Sequence, residues 1–205
     1  AISELLTDKP TISFHVDAVQ ALAKIPTEKY LTERVNFATF SSHKFHGVRG
    51  VGFVYIKSGK KITPLLTGGG QEGDYRSTTE NVAGIAATAK ALRLSMEKLD
   101  LFTSKTGQMK SVIRQALLNY PDIFVFSDEK GFAPHILTFG IKGVRGEVIV
   151  HAFEDYDIFI STTSACSSKA GKPAGTLIAM GVEKDKAQSA VRVSLDLEND
   201  MSQVE

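Results

Sequence analysis

The sequence predicts a mixed α/β protein, and two observations predict it. Short runs rich in β-branched and aromatic residues alternate with segments whose apolar residues recur at helical spacing, which is typical of a layered α/β domain. The composition is that of a folded chain, since 42% of the 205 residues are hydrophobic and 23% are charged. This length is enough for one large domain or two modest ones.

The charge balance and the cysteine content exclude several classes of protein. Lys and Arg number 24 against 23 Asp and Glu, a net charge of +1, which argues against nucleic acid or a polyphosphate as the main partner. No apolar run approaches the roughly 18–20 residues of a spanning helix. The single cysteine excludes an internal disulfide and cannot build a zinc site alone. We therefore expect a soluble, cytoplasmic protein that binds neither nucleic acid nor membrane.

The first part of the chain contains three predicted strands. They lie at residues 11–16, 36–41 and 52–56. Residues 17–23 have the composition of a helix, residues 42–50 form a polar, glycine-bearing turn, and residues 67–79 are a glycine-rich loop. Apolar residues at helical spacing between Asn81 and Asn119 predict two helices, with a break between Asp100 and Gly107.

After Pro121 the alternating pattern restarts as a second compact unit. Its predicted strands lie at 123–126, 135–140, 157–161 and 190–195, and its predicted helices near 146–153, 174–180 and 184–189. The domain boundary is therefore expected near residues 95–105, which divides the chain into domains at 1–98 and 99–205.

Two polar clusters follow the predicted strands of the first domain, where open α/β sheets usually bind ligands. Lys44, in the run Ser41-Ser-His-Lys, could form a Schiff base with an aldehyde cofactor if burial lowers its pKa; otherwise it is a solvated loop lysine. Asp17, followed by Gln20, could keep a pyridine ring protonated; otherwise it is a helix N-cap.

Three further groups could bind or react. Cys166, in a run of small polar residues at 161–168, is either a nucleophilic thiol in an exposed loop or a packing residue. Residues 68–70 and 76–79, with Arg76 and Thr79, offer donors for an anion such as phosphate. Arg192 could bind a carboxylate or form an edge-strand salt bridge. His15, His46, His135 and His151 lack metal-ligand spacing, so no metal site is expected.

Taken together and in order, these motifs resemble the cysteine desulfurases of the class V aminotransferase superfamily, which are pyridoxal phosphate enzymes of fold type I. The motifs are 16–20 (VDAVQ), 41–44 (SSHK), 68–72 (GGGQE) with 76–79 (RSTT), 164–168 (SACSS) and 191–195 (VRVSL). The 164–168 motif resembles the group with a longer, mobile cysteine loop, group I. The resemblance implies part of a fold type I large domain followed by a small α/β C-terminal domain.

The resemblance implies a role for each matching residue. Lys44 would hold the cofactor covalently and later move protons, Asp17 would pair with the ring nitrogen, and Gln20 would bind the ring hydroxyl. Ser41 and His43 would bind the cofactor phosphate, and Thr79 would reach the phosphate in the neighbouring subunit of a homodimer. Cys166 would take the sulfur of L-cysteine as a persulfide, leaving L-alanine, and Arg192 would hold the substrate carboxylate. The sulfur would pass to an acceptor protein, either an iron–sulfur scaffold or a tRNA thiolation enzyme.

The chain departs from the family pattern in two ways. Thr78 stands where the family often has glycine, which reduces backbone freedom there. Family members are roughly twice this length, and the half that precedes this segment carries a phosphate-binding loop and a histidine that stacks on the cofactor ring. We therefore expect a C-terminal fragment that binds pyridoxal phosphate poorly by itself. The alternatives are a selenocysteine lyase or another class V enzyme, and a sulfur-relay or scaffold-docking module without cofactor chemistry.

Overall fold

The computed structural model describes residues 1–127, 131–162 and 175–204. These residues form two compact units, Ala1–Asp100 and Leu101–Glu205. Each unit has its own β-sheet with helices beside it in sequence, and the predicted mixed α/β class is confirmed. Among the described residues, no helix is both long enough and apolar enough to cross a membrane.

The sheet of the first unit has three strands in the order β1-β2-β3. They are β1 at His15–Asp17, β2 at Phe37–Ser41 and β3 at Gly52–Ile56. Strands β1 and β2 are parallel, with Asp17 opposite Thr39, whereas β2 and β3 are antiparallel. Because side chains alternate along a strand, Ala38 and Phe40 of β2 point together into the core. Because β1 and β2 are parallel, their carboxyl ends lie at the same edge of the sheet.

Two helices and a guanidinium clamp complete the first unit. The helices are α1 at Ile2–Leu5 and α2 at Val82–Glu97. Asn81 is the N-cap of α2, and its side chain accepts the Gly84 N–H at 3.0 Å. The core of the first unit consists of Ala18, Leu22, Ala23, Val35, Ala38, Phe40 and Phe45. Arg34 donates hydrogen bonds to the carbonyls of three residues ahead of β1, namely Leu6, Lys9 and Ile12. The first strand consequently begins at His15 and not at the predicted residue 11.

The sheet of the second unit has the order β4-β5-β7-β6, and all of its pairings are antiparallel. Its strands are β4 at Ile123–Val125, β5 at Ile136–Ile141, β6 at Ser161–Thr162 and β7 at Val191–Ser194. The helices are α3 at Leu99–Leu118, α4 at Gly146–Glu154, α5 at Gly175–Ala179 and α6 at Lys184–Gln188. Phe139, Ile149 and Val191 form the centre of a core between α4 and the sheet.

Three predicted elements differ from the observed ones. The predicted helix over 17–23 is absent: Asp17 ends β1 and residues 19–23 form turns, because Asp17 Oδ1 accepts the Val19 N–H at 3.2 Å and Ala23 has a left-handed φ of 58°. The break between α2 and α3 falls at Lys98, and Gly107 continues the helix. The predicted strand at 157–161 shortens because Asp157, with a φ of 59°, turns the chain at the end of α4.

Candidate active site

The candidate site of the first unit lies at the carboxyl ends of β1 and β2. Asp17 is the last residue of β1, and Ser41 is the last residue of the neighbouring parallel strand. The Ala18 N–H donates to the Thr39 carbonyl at 3.1 Å, which joins the two strand ends directly. The Asp17 carboxylate is exposed and is oriented by its hydrogen bond from the Val19 N–H. Gln20 follows in the same turn and is also exposed.

Lys44 lies in a single 3-10 turn, Ser42–Phe45, that directly follows β2. Ser42 and Phe45, at the two ends of this turn, are completely buried, whereas His43 is exposed and Lys44 is half-buried. His46 ends the turn with a left-handed φ of 65°, and the Gly47 N–H returns to the Ser42 carbonyl at 3.0 Å. The two buried ends fix the backbone that carries Lys44, so the position of this backbone does not depend on the lysine itself.

Helix α2 holds the lysine turn through two hydroxyl groups. Thr88 Oγ1 lies 2.9 Å from Ser42 Oγ and 2.7 Å from the Gly84 carbonyl. The Thr88 hydroxyl is the donor in both contacts, so its one proton is shared between the Ser42 hydroxyl and the Gly84 carbonyl. About two helical turns further along, Ser95 Oγ donates to the Phe45 carbonyl at 3.1 Å. Sequence reasoning missed Thr88 and Ser95, since no local pattern links them to a turn more than 40 residues earlier.

Gly47 permits the close approach within this turn, and its replacement is a first testable prediction. A Cβ at this position would lie 2.0 Å from Ser42 Oγ and 3.0 Å from the Ser42 carbonyl oxygen. We expect Gly47→Ala to lower the free energy of unfolding by about 1–3 kcal/mol, as overpacking does in closely packed interiors. Urea unfolding of the chain measures this. Gly107→Ala is the control, because among the described residues a Cβ there meets only the Pro134 side chain, at an ordinary 3.9 Å; equal effects of both substitutions would contradict the prediction.

The glycine-rich loop ahead of α2 carries the remaining residues that were predicted in the first unit. Gly70 has a left-handed φ of 83°, and the Ser77 N–H donates to the Leu66 carbonyl at 3.0 Å. Arg76 and Thr79 are both exposed. Thr78 is outside the left-handed region. The loss of glycine at position 78 therefore imposes no backbone strain here.

Arg192 is the predicted site residue of the second unit, and it lies half-buried on β7. It pairs with Thr138 of β5 on one side and Ser161 of β6 on the other. One terminal nitrogen, Nη2, donates to Ser161 Oγ at 3.2 Å. Its Nε is buried and has no hydrogen-bond partner among the described residues. A buried guanidinium N–H without a partner is the kind of donor that a carboxylate ligand satisfies. Ser161 was noticed only as part of the polar run around Cys166.

The structure brings together only some of the predicted residues. Asp17, Gln20 and the segment 41–44 share one edge of the first sheet, and Thr79 lies in a separate loop of the same unit. Arg192 belongs to the second unit. Cys166 lies outside the described residues. Within residues 1–127, 131–162 and 175–204, no group of three or more His, Cys, Asp or Glu side chains could hold a metal ion.

Comparisons with known proteins support the resemblance inferred from the motifs. A "NifS/IcsS protein homolog" of Lactobacillus delbrueckii subsp. bulgaricus is 49% identical over 205 residues, covering 100% of this chain and 53% of the relative. A "Cysteine desulfurase IscS" of Clostridium botulinum is 35% identical, covering 97% of this chain and 50% of the relative. The chain thus spans about half the length of the curated relatives it matches.

Solved structures and a family model agree with these relatives. A "NIFS-LIKE PROTEIN" structure superposes with a TM-score of 0.83 at 34% identity, covering 98% of this chain and 51% of that one. A NifS-like protein from Rickettsia africae has a TM-score of 0.83 at 28% identity, covering 99% of this chain and 53% of that one. The sequence model "Aminotransferase class-V" matches residues 1–205. With a match over its whole length, the chain belongs to the class V aminotransferase family.

Proposed function

We propose that this chain supplies the cofactor lysine, the persulfide cysteine and the substrate arginine of a cysteine desulfurase. The enzyme would release sulfur from L-cysteine as a persulfide on Cys166 and form L-alanine. One observation carries the proposal: in a class V aminotransferase chain, the Asp17 carboxylate and the turn with Lys44 follow two adjacent parallel strands. A carboxylate and an amine at one sheet edge suit the two ends of an aldehyde-bearing pyridine.

Pyridoxal phosphate is the cofactor of this family in general, and the residues of the first unit fit it. The half-buried Lys44 amine, on a backbone held at both ends, suits the aldehyde, and the Asp17 carboxylate suits a protonated ring nitrogen. Ser41 and His43 offer donors for the phosphate, and Gln20 offers its amide to the ring hydroxyl. When bound, the cofactor supplies an electron sink for bonds that break at the substrate.

The roles of the protein groups follow from their chemistry. Asp17 keeps the ring nitrogen protonated, and Lys44 Nζ takes up and returns the proton at the substrate α-carbon. The Nε of Arg192, which has no hydrogen-bond partner among the described residues, binds the substrate carboxylate together with a terminal nitrogen. The Cys166 thiolate attacks the substrate sulfur, so that an S–S bond forms and the C–S bond breaks. The electron pair of the broken bond remains with the β-carbon of the substrate, which is then protonated to give alanine.

Two protein partners belong to the same proposal. The exposed Thr79 would reach the phosphate site of a neighbouring subunit, which requires a homodimer. The persulfide sulfur would pass to an acceptor protein, either an iron–sulfur scaffold or a tRNA thiolation enzyme. Both assignments rest on the resemblance to the cysteine desulfurase family.

A chimera tests the proposal. Residues 1–205 replace the matching half of the Clostridium botulinum cysteine desulfurase, and the parent enzyme serves as the positive control. With pyridoxal phosphate and L-cysteine, we expect the chimera to form alanine and persulfide sulfur in equal amounts. The chain alone should bind the cofactor weakly, measured as visible absorbance that borohydride removes. A chimera that folds and binds the cofactor but forms no alanine would contradict the proposal.

A further inference from the structure

The charged residues at the two ends of helix α4, in the second unit, have signs opposite to those that the helix dipole favours. Lys142 and Arg145 precede its first turn, whereas Glu154, Asp155 and Asp157 lie at its last turn and just beyond. The amino end of a helix is the positive pole, so cations there and anions at the carboxyl end are unfavourable in the isolated chain. Within the helix, Glu147 has the favourable sign at the amino end, and Glu154 already contacts His151 Nδ1 at 2.9 Å, so the unfavourable charges at the carboxyl end are mainly those of Asp155 and Asp157.

The acidic end of α4 also exposes large apolar side chains. Tyr156 and Phe159 are each 80% exposed, and Ile158 is 45% exposed. Backbone hydrogen bonds hold this segment, since the Ile158 N–H donates to the Phe153 carbonyl at 3.0 Å and the Asp157 N–H donates to the Glu154 carbonyl at 3.0 Å. Residues 155–159 therefore form an ordered projection, the acidic aromatic loop.

The basic end of α4 borders a recess of about 440 Å³. Its apolar lining comes from Phe124, Ile141 and Val144, and its cations are Lys142, Arg145 and Lys186. Two carboxylates also line it: Glu183 pairs with Lys186 at 2.9 Å, and Asp185 is the other. An aromatic ring flanked by carboxylates matches this combination, since the ring would occupy the apolar part and the carboxylates would meet Lys142 and Arg145.

We propose that the recess receives the acidic aromatic loop of a second copy of this chain. A projection and a complementary recess at opposite ends of one nine-residue helix, roughly 13 Å long, are what a two-fold symmetric contact requires. With two α4 helices antiparallel, each basic end meets the partner's acidic end. Charges that are unfavourable in one chain thereby become attractive between two. This contact lies in the second unit, so it is distinct from the one proposed through Thr79 and does not depend on the proposed function.

The first test removes the aromatic rings. Sedimentation equilibrium of the chain under reducing conditions measures its dimer dissociation constant, and we expect Tyr156→Ala or Phe159→Ala to raise it at least tenfold. Tyr120→Ala is the matched control, because Tyr120 is also an exposed aromatic residue, 63% accessible, but lies between α3 and β4. Circular dichroism establishes that each variant keeps its fold.

The second test exchanges charges across the proposed contact. Arg145→Glu and Asp155→Arg should each weaken the dimer, and the double variant should recover most of the loss, because both exchanged charges again meet opposite charges; Asp155 is exposed and has ordinary helical backbone angles. Lys98→Glu, at an exposed position of the first unit, is the control and should leave the dissociation constant unchanged.

Several outcomes would overturn the proposal. The first is a chain that stays monomeric at hundreds of micromolar. The second is a dimer that none of the four substitutions weakens, because its interface then lies elsewhere. The third is an oligomer that grows without limit but becomes monomeric with Arg145→Glu, because the contact at α4 alone then drives the growth and does not close. The fourth is a monomer whose loop is protected from hydrogen exchange only by added polylysine, because the loop then binds a basic partner and not a second copy.

Discussion

Replacement of Lys44 by alanine is expected to abolish alanine formation by the chimera, with a loss of at least about a hundredfold from proton transfer alone. Lys44→Arg should be equally inactive, because arginine keeps the charge but stays protonated and cannot act as an amine nucleophile. The buried ends of the turn, Ser42 and Phe45, are unchanged in both variants, so the loss would come from the amine and not from unfolding.

Borohydride reduction separates the loss of the amine from indirect effects. In the unsubstituted chimera, reduction should fix the cofactor mass on the peptide that contains Lys44, as peptide mass spectrometry can establish. Lys61→Ala removes an exposed lysine of the same unit and should retain both activity and labelling. Label on a peptide without residue 44 would show that another lysine holds the cofactor.

The second large effect is expected from Cys166→Ser. Cysteine 166 is the only cysteine of the 205 residues, so within this chain a persulfide can form at no other thiol. A serine hydroxyl is a far weaker nucleophile, and sulfur release should fall by several orders of magnitude. In the chimera, any thiol of the Clostridium half is first replaced by serine. Alkylation followed by mass spectrometry then measures the persulfide directly.

The same variant distinguishes the two alternative functions. A selenocysteine lyase would still form alanine from selenocysteine after Cys166→Ser, whereas a desulfurase would lose sulfur release from L-cysteine. A sulfur-relay module would accept a persulfide on Cys166 from a donor without any pyridoxal phosphate. Persulfide that forms from L-cysteine only when the cofactor is present favours the desulfurase over the relay.

Local patterns accounted for most elements and failed where distant residues compete for the same backbone. The strand at 52–56 matches its prediction because β-branched and aromatic residues with nearby glycines act within the segment itself. The predicted helix at 17–23 is absent, because the Ala18 N–H pairs with the Thr39 carbonyl and Leu22 packs into the core. The first strand is shortened by Arg34, which binds carbonyls more than 20 residues earlier. Tertiary contacts outweighed the local preference for a helix at the first place and for a strand at the second.

Some features of the candidate site could likewise be predicted from the sequence, and others were decided only by the fold. Residue types and their order along the chain, from Asp17 through Lys44 to Arg192, were sufficient to identify the family, because family motifs are written in the sequence itself. Only the fold decided that Asp17 and Ser41 end adjacent parallel strands and that Thr88 and Ser95 hold the lysine turn. It also decided that the buried Arg192 Nε–H has no partner in the part of the chain that the structure describes. Strand pairing, burial and hydrogen-bond satisfaction depend on residues distant in the chain, and they are defined only once the chain has folded.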